Sequence, residues 1–379
     1  MNNLDNLIEK LCPNGIEETQ IKDVIDYIQP SKYIVSSVKY DNSFKTPVLT
    51  AGKSFLLGFT NEELGIFNAS TNNPVMIFDD FTTSMHWVNF NFKVKSSALK
   101  ILVPMNENVN FRFLYYVLKT LNYNVSNGTH ERHWISKYSK ELIPLPPLEI
   151  QNEIVRILDN FTELEAELEA ELEARTQQYE YYRNKLLDFS KGFVDVPKID
   201  EMLAEMCPKG IEYKELTLIS EYLSSGKNKE KSHEGKYPVF GSTGIIGYTD
   251  KYVYDDDLVL IARVGANCGR INKTNEKCDI SDNTLVLKLK SDVNLSFIYY
   301  ILVSSKLNQY SKGGGQPLIT AGFLKSFVIP VPPLEIQNEI VKILDDFSEY
   351  VTSITEGLPA EIEARRKQYE YYRNKLLTF

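Results

Sequence analysis

Cysteine, histidine and tryptophan are scarce: the chain of 379 residues has four, four and two of them. The cysteines, Cys12, Cys207, Cys268 and Cys278, form no C-x-x-C pair and have no spacing typical of a zinc site, so they read as free thiols. Long apolar runs are missing too. None approaches the roughly 20 residues that span a bilayer, and Met1-Asn2-Asn3-Leu4-Asp5 lacks the basic-then-apolar start of a signal peptide. The expectation is a cytoplasmic protein with no membrane contact.

Catalytic signatures fail one by one. Ala51-Gly52-Lys53-Ser54 resembles the tail of a phosphate loop, but the first glycine of that motif would fall at Pro47. His130 and His133 stand as H-x-x-H without the glutamate of a zinc-binding helix. Asp200 with Glu212-Tyr213-Lys214 is too loose a match to a nuclease arrangement, and no glycine-rich dinucleotide fingerprint occurs. Nor is there the N-P-P-aromatic or D-P-P-aromatic tetrapeptide with which amino-methyltransferases act on a flipped base; Asn73-Pro74-Val75 is not one.

What the chain has is a phrase said twice. PPLEIQNEIV at Pro146–Val155 returns at Pro332–Val341, and QYEYYRNKLL at Gln178–Leu187 returns letter for letter at Gln368–Leu377. Weaker echoes run between these frames. Cys12-Pro13-Asn14-Gly15 matches Cys207-Pro208-Lys209-Gly210, Thr46-Pro47-Val48-Leu49 matches Tyr237-Pro238-Val239-Phe240, and Phe113-Leu114-Tyr115-Tyr116 matches Phe297-Ile298-Tyr299-Tyr300. Two inserts of one fold, different in detail, are therefore mounted on two constant frames. The repeat is circular, because Cys12-Pro13 sits just inside the N-terminus and the last QYEYYRNKLL just inside the other end, so the two ends are expected to be neighbours.

The frames read as helices. Ile150, Ile154, Leu158, Phe161, Leu164, Leu168 and Leu172, then Tyr179, Tyr182 and Leu186, recur every three or four residues. The second rod runs from Ile336 through Leu344 and Phe347 to Tyr369 and Leu376, with a break expected at Gly357-Leu358-Pro359. Two such stripes bury most economically against each other as an antiparallel coiled coil. The inserts read as α/β: apolar strands punctuated by Gly, Ser and Thr over Pro47–Phe59, Pro238–Tyr248, Leu258–Arg263 and Thr284–Leu289, then an aromatic-rich helix at Phe111–Leu121 or Phe297–Leu307. The fold class is thus α+β, two α/β domains separated by two long helices, with an internal pseudo-two-fold repeat. Boundaries fall at 1–145, 146–190, 191–331 and 332–379.

A net charge of −9 argues against nucleic acid at first. Most of the acid sits on the frames, which carry about −7 (Glu149–Phe189) and about −3 (Glu335–Phe379), leaving the rest near +1. Lys93, Lys95 and Lys100, or Lys227, Lys229 and Lys231, are then available to face phosphate.

With these residues in hand the chain resembles the specificity subunit of a type I restriction–modification system. The likeness covers essentially the whole length: the doubled P-[LV]-P-P-L-E-I-Q-N-E-I-V frames, the doubled Q-Y-E-Y-Y-R-N-K-L-L endings, and Gly241–Tyr248 and Arg263–Gly269 in the second insert. The resemblance implies a DNA-reading subunit without catalysis of its own, whose two target recognition domains each read half of a bipartite site. It further implies docking of two methyltransferase subunits and of restriction subunits, with S-adenosylmethionine, ATP and Mg bound by those partners and no cofactor bound here. The Glu-Leu-Glu-Ala steps, with Glu163, Leu164, Glu167, Leu168, Glu171 and Leu172, are by the same resemblance the part that sets the unread spacer. One departure stands out: the glycine-rich Lys312–Pro317 loop has the bulkier Thr129–Trp134 as its counterpart.

Candidates for contact with double-stranded DNA are Lys53, His86, His130, Arg132 and His133 in the first insert, and Ser242, Thr243, Arg263, Asn267, Arg270, Lys312 and Gln316 in the second, side chains suited to base edges and phosphates. Trp87 and Trp134 fit a core better than a stacking platform. The alternative reading is a coiled-coil adaptor with two protein-recognition modules.

Overall fold

A strand with apolar residues on both faces must be covered on both, and each insert is built around one. The computed structural model describes every residue except 1, 53, 107, 122–131, 230–231, 314–315, 353–356 and 379; of residues 2, 3 and 349–352 it describes only the backbone. The chain divides into two compact units, Met1–Glu167 with Ile362–Phe379, and Leu168–Glu361.

The first unit opens with α1 (Asn2–Leu11), then β1 (Glu18–Gln20), β2 (Ile25–Ile28), β3 (Thr46–Leu49), β4 (Leu56–Thr60), β5 (Val75–Asp79), β6 (Met85–Val88), β7 (Lys93–Val94) and β8 (Leu99–Pro104). Next come α2 (Phe111–Thr120), α3 (His133–Ser136), β9 (Leu142–Pro144) and α4 (Leu148–Leu186), whose second half belongs to the other unit. Strands β2-β8-β5-β6 form an antiparallel sheet, β4-β3-β7 a smaller one, and β1 pairs with β9. Central strand β5 sends Met76 and Phe78 into a core shared with α2, and Val75 and Ile77 into a second core against the smaller sheet.

The second unit repeats this plan: α5 (Pro197–Met206), β10 (Tyr213–Glu215), α6 (Leu216–Ile219), β11 (Ser220–Ser225), β12 (Tyr237–Gly241), β13 (Gly244–Thr249), β14 (Leu258–Ala262), β15 (Ile271–Thr274), β16 (Asp279–Ile280) and β17 (Thr284–Leu289). Then come α7 (Leu295–Ser304), α8 (Ala321–Lys325), β18 (Val328–Pro330), α9 (Leu334–Thr352) and α10 (Leu358–Leu377), the last lying mostly in the first unit. The sheet orders β11-β17-β14-β15, β13-β12-β16 and β10-β18 correspond strand for strand with those of the first unit. Strand β14 divides its faces likewise, Val259 and Ile261 into one core and Leu258 and Leu260 into the other. The shared fold expected from weak echoes is thus present.

The frame helices behave as their stripes require, within each unit. In the first, Phe161 of α4 stacks on Tyr372 of α10 at 5.4 Å and Arg366 Nε donates to Glu165 at 2.6 Å, so the two helices run antiparallel. In the second, Tyr179 of α4 meets Phe347 of α9 edge-on at 5.6 Å, and Leu186 shares a core with Leu344. The expected interruption falls at Gly357, which has φ +87° and stands just before α10 begins at Leu358. The chain ends are neighbours: Leu4 of α1 and Leu376 and Leu377 of α10 lie in one core. One part of the stripe departs from expectation, since Leu164 is 45% exposed. At 3.6 residues per turn each four-residue step advances about 40°, so successive leucines of these steps move around the rod.

Each frame is fastened to its insert by the same buried amide. Gln151, 1% exposed, accepts from Asn110 N at 2.8 Å and donates to Pro146 O at 2.7 Å. Gln337 does likewise with Asn294 N at 2.9 Å and Pro332 O at 2.7 Å. Asn110 and Asn294 in turn cap α2 and α7, accepting from Phe113 N and Phe297 N. Replacing Gln151 with Leu leaves a backbone donor and acceptor without partners in the interior. We expect a loss of about 2–5 kcal/mol, read from the urea midpoint of the full chain, while the exposed Asn152→Ala shifts it far less.

Candidate nucleic-acid interface

Loops that leave one end of a sheet are held together by short backbone bonds, and in the second insert these gather most of the candidates. Arg263 follows β14; its N–H donates to Asn283 O at 3.0 Å, its Nη1 to Ser225 Oγ at 2.9 Å, and its carbonyl accepts from Ile319 N at 2.8 Å. Gly265 N donates to Pro317 O at 3.1 Å and Lys312 N to Leu318 O at 3.0 Å, which brings Lys312 and Pro317 alongside the 263–270 turn. Asn267 O accepts from Arg270 N at 2.9 Å inside that turn. Ser242 and Thr243 form the tip between β12 and β13, next to Phe240, whose carbonyl accepts from Ser281 N at 2.8 Å. Ser242, Thr243, Arg263, Asn267, Arg270, Lys312 and Gln316 thus emerge at the same end of two adjoining sheets. Thr243, Arg270, Lys312 and Gln316 are exposed, while Ser242, Arg263 and Asn267 are half-buried.

The first insert places its candidates differently. Lys53 and His130 lie outside the described residues. Arg132 is exposed. His133 is a correction: at 4% exposure it is part of the interior, and its backbone N–H donates to Asp80 O at 2.8 Å. Trp134 beside it is buried, with its N–H on Asp80 Oδ1 at 2.8 Å and its ring 5.1 Å from that of Phe78. Two bulky residues here act as an anchor for the segment. His86 sits on β6 rather than in a loop, stacked on Phe55 at 4.5 Å; burial first, and then the Lys119 charge, holds it below the ordinary imidazole value, so it is neutral at pH 7.

The lysine cluster expected to face phosphate is also corrected. Lys93 is buried, pairing with Glu62 at 2.9 Å and donating to Leu64 O at 2.6 Å. Lys100 is buried against Asp80 at 3.5 Å. Of the three, Lys95 alone is exposed, as are Lys227 and Lys229 of the second cluster; Lys231 lies outside the described residues. Sequence spacing counted these charges but carried no sign of their carboxylate partners.

A second set of residues went unmarked in the sequence. Tyr116 donates its hydroxyl to Asp159 of α4, and Tyr300 donates to Asp345 of α9. Burial, then the bond to the carboxylate, pushes both hydroxyls far above the ordinary tyrosine value, so they remain donors. In the first unit Arg112 completes the seam, its Nε 2.9 Å from Asp159 and its guanidinium 4.8 Å from the Trp87 ring. In the second, Ser296 stands at the place of Arg112, and the cation comes from Lys273, which donates to Ser296 Oγ at 2.9 Å and lies 5.3 Å from the Tyr299 ring. The doubled F-[LI]-Y-Y echo was the available signal.

Among the described residues no group of three or more His, Cys, Asp or Glu side chains is placed to hold a metal ion, and no helix is long and apolar enough to cross a membrane. The buried Asp80 makes a testable point. Asp80→Ala strands the Lys100 charge and the Trp134 N–H in the interior, and we expect a loss of about 3–5 kcal/mol in denaturant titration. Exposed Lys95→Ala should change stability by less than about 0.5 kcal/mol.

Comparison with known proteins agrees with this doubled construction. The type I restriction modification DNA specificity domain matches residues 13–174 and again 208–364. The EcoR124I/EcoR124II specificity subunit of Escherichia coli is 38% identical over 98% of this chain and 96% of its own. Among solved structures, the S subunit of the type I restriction-modification system from M. genitalium superposes with a TM-score of 0.62 at 17% identity, covering 97% of both chains. A chain solved in a study of complex assembly and conformational transition of the type I R-M system gives 0.54 at 18%, covering 96% and 98%. Two copies of the specificity domain, a relative at this identity over nearly the full length, and the same fold in both units establish that the chain belongs to the type I restriction–modification DNA specificity family.

Proposed function

We propose that the chain is the non-catalytic DNA-reading subunit of a type I restriction–modification complex acting in the cytoplasm, each insert reading one half of a bipartite duplex site. The observation that carries this is the contrast between the inserts: the same strand order and the same fastening to the frame, but unrelated side chains at the loop ends. Arg263, Asn267, Arg270, Lys312 and Gln316, with Ser242 and Thr243, are the proposed DNA contacts of the second domain; Arg132, His86, Lys53 and His130 remain those of the first, with His133 positioning its segment from within. An arginine at such a tip, Arg263 here, is suited to paired hydrogen bonds with guanine in the major groove. Arg263, oriented by Ser225 before DNA arrives, has the least freedom to lose.

The frames support partner docking. Packing explains why buried frame residues are identical, but not why exposed ones are. Glu149 and Glu335, Gln178 and Gln368, and Glu180 and Glu370 are exposed and identical in pairs, and Tyr181 and Tyr371 are 62% and 61% exposed. Two equal outer surfaces fit two copies of one partner, the methyltransferase subunit, with restriction subunits joining the assembly. S-adenosylmethionine, ATP and Mg then belong to those partners.

Two experiments test the reading. Replacing residues 16–143 with the insert of a relative should change one half of the methylated sequence and leave the other; simultaneous change of both halves would rule out independent readers, and loss of all sequence dependence with retained partner binding would favour an adaptor. Deleting Glu167–Ala170 shortens α4 by about 6 Å and turns the remainder of the helix by about 40°, against about 3.4 Å and about 35° for one base pair. We expect modified adenines one base pair closer, with both half-sites unchanged; an unaltered spacer would show that this helix does not set it.

A further inference from the structure

We propose that the cavity between the 263–270 turn and the C-terminal end of α7 is a seat for a DNA phosphodiester, held by Arg270 and Lys306; this rests on the DNA-reading role proposed above, assigns Arg270 to the phosphate backbone and adds Lys306, which the sequence did not mark. The cavity has a volume of about 530 Å³ and among the described residues no carboxylate lines it, although the chain as a whole carries a net charge of −9. Its two charged residues are Arg270 and Lys306, both exposed, and among the described residues neither has an ion-pair partner. The side chains of Asn267 and Asn308 complete a polar wall and make no hydrogen bond among the described residues; the ring of Tyr299 closes one side.

Two backbone features show that this wall is built rather than incidental. Gly269 has φ +88°, and a Cβ there would lie 2.4 Å from Asn308 N, so only glycine lets the turn press against the segment after α7. Lys306 has φ 46° and ψ 56°, the left-handed conformation that a helix end normally gives to glycine or asparagine. A lysine held there carries strain, and its ammonium makes no bond among the described residues; strain of this kind gathers where a side chain serves a ligand. The alternative duty, complementing the negative end of α7, is open to a lysine in any conformation.

Lys306→Gly separates these roles, because glycine relieves the backbone while removing the charge. In the full chain assembled with its methyltransferase partner, the seat predicts a melting temperature equal to or above that of the wild type. Affinity for duplex DNA should fall roughly five-fold at 0.15 M salt, with the slope of log K against log salt reduced by about 0.9, the contribution of one phosphate contact. The loss should be the same for cognate and unrelated duplexes, leaving the methylated sequence unchanged, and Lys306→Arg should restore it. Arg270→Gln, at an exposed position without an ion-pair partner among the described residues, carries the same expectation should the glycine variant fail to assemble. Unchanged affinity and slope in both variants would overturn the seat while leaving the reading role intact, and a lowered melting temperature with unchanged DNA binding would assign Lys306 to the helix end instead. Absence of sequence-dependent binding by the wild type would instead count against the reading role itself.

Discussion

A reader of DNA is useful only if its loops are held at a fixed angle to the rod that carries it, and here that angle rests on one buried side-chain amide per unit. Gln151 and Gln337 each satisfy a backbone donor at the start of the insert's helix and a backbone acceptor at the proline turn before the frame. Both glutamines are themselves 1% exposed, so the joint is made in one geometry or a buried amide is left unsatisfied. Helix caps, frame entry and the orientation of α2 and α7 all depend on it. The Tyr116–Asp159 and Tyr300–Asp345 bonds brace the same seam one or two turns further along.

Around that joint the two units diverge in an orderly way. The seam keeps a cation over its aromatic pair in both, but from opposite elements: Arg112 of α2 in one, Lys273 of β15 in the other. Where position matters the chemistry is retained by exchange; where reading takes place it is free to differ. Asp80 with its buried Lys100 occupies in the first insert the place where Arg263 opens the loop cluster of the second. One insert spends that position on anchoring His133 and Trp134, and the other presents a guanidinium.

Much of the fold was legible because the signals were local or duplicated. The frame stripes, the break before Leu358, the hairpins and the aromatic-rich helices come from periodicity and turn residues. Neighbouring chain ends came from the circular order of the echoes. What escaped was long-range pairing. Lys93 and Lys100 look in sequence like surface charge and are interior because Glu62 and Asp80, in the loops after β4 and β5, meet them. His133 looked like a loop ligand and is buried because its neighbour Trp134 fills the space beside Phe78 and Tyr138. Lys306 could not be singled out, since a left-handed residue after a helix is marked in sequence only when it is glycine or asparagine.

The central claim is that two unlike readers of one fold are held on a constant frame. It is tested most directly by incubating the assembled complex with a pool of random duplex DNA, recovering the bound molecules and sequencing them. The account predicts two short, unrelated conserved blocks separated by a gap of constant length and random sequence. A single contiguous block, two blocks at variable separation, or no enrichment at all would contradict it.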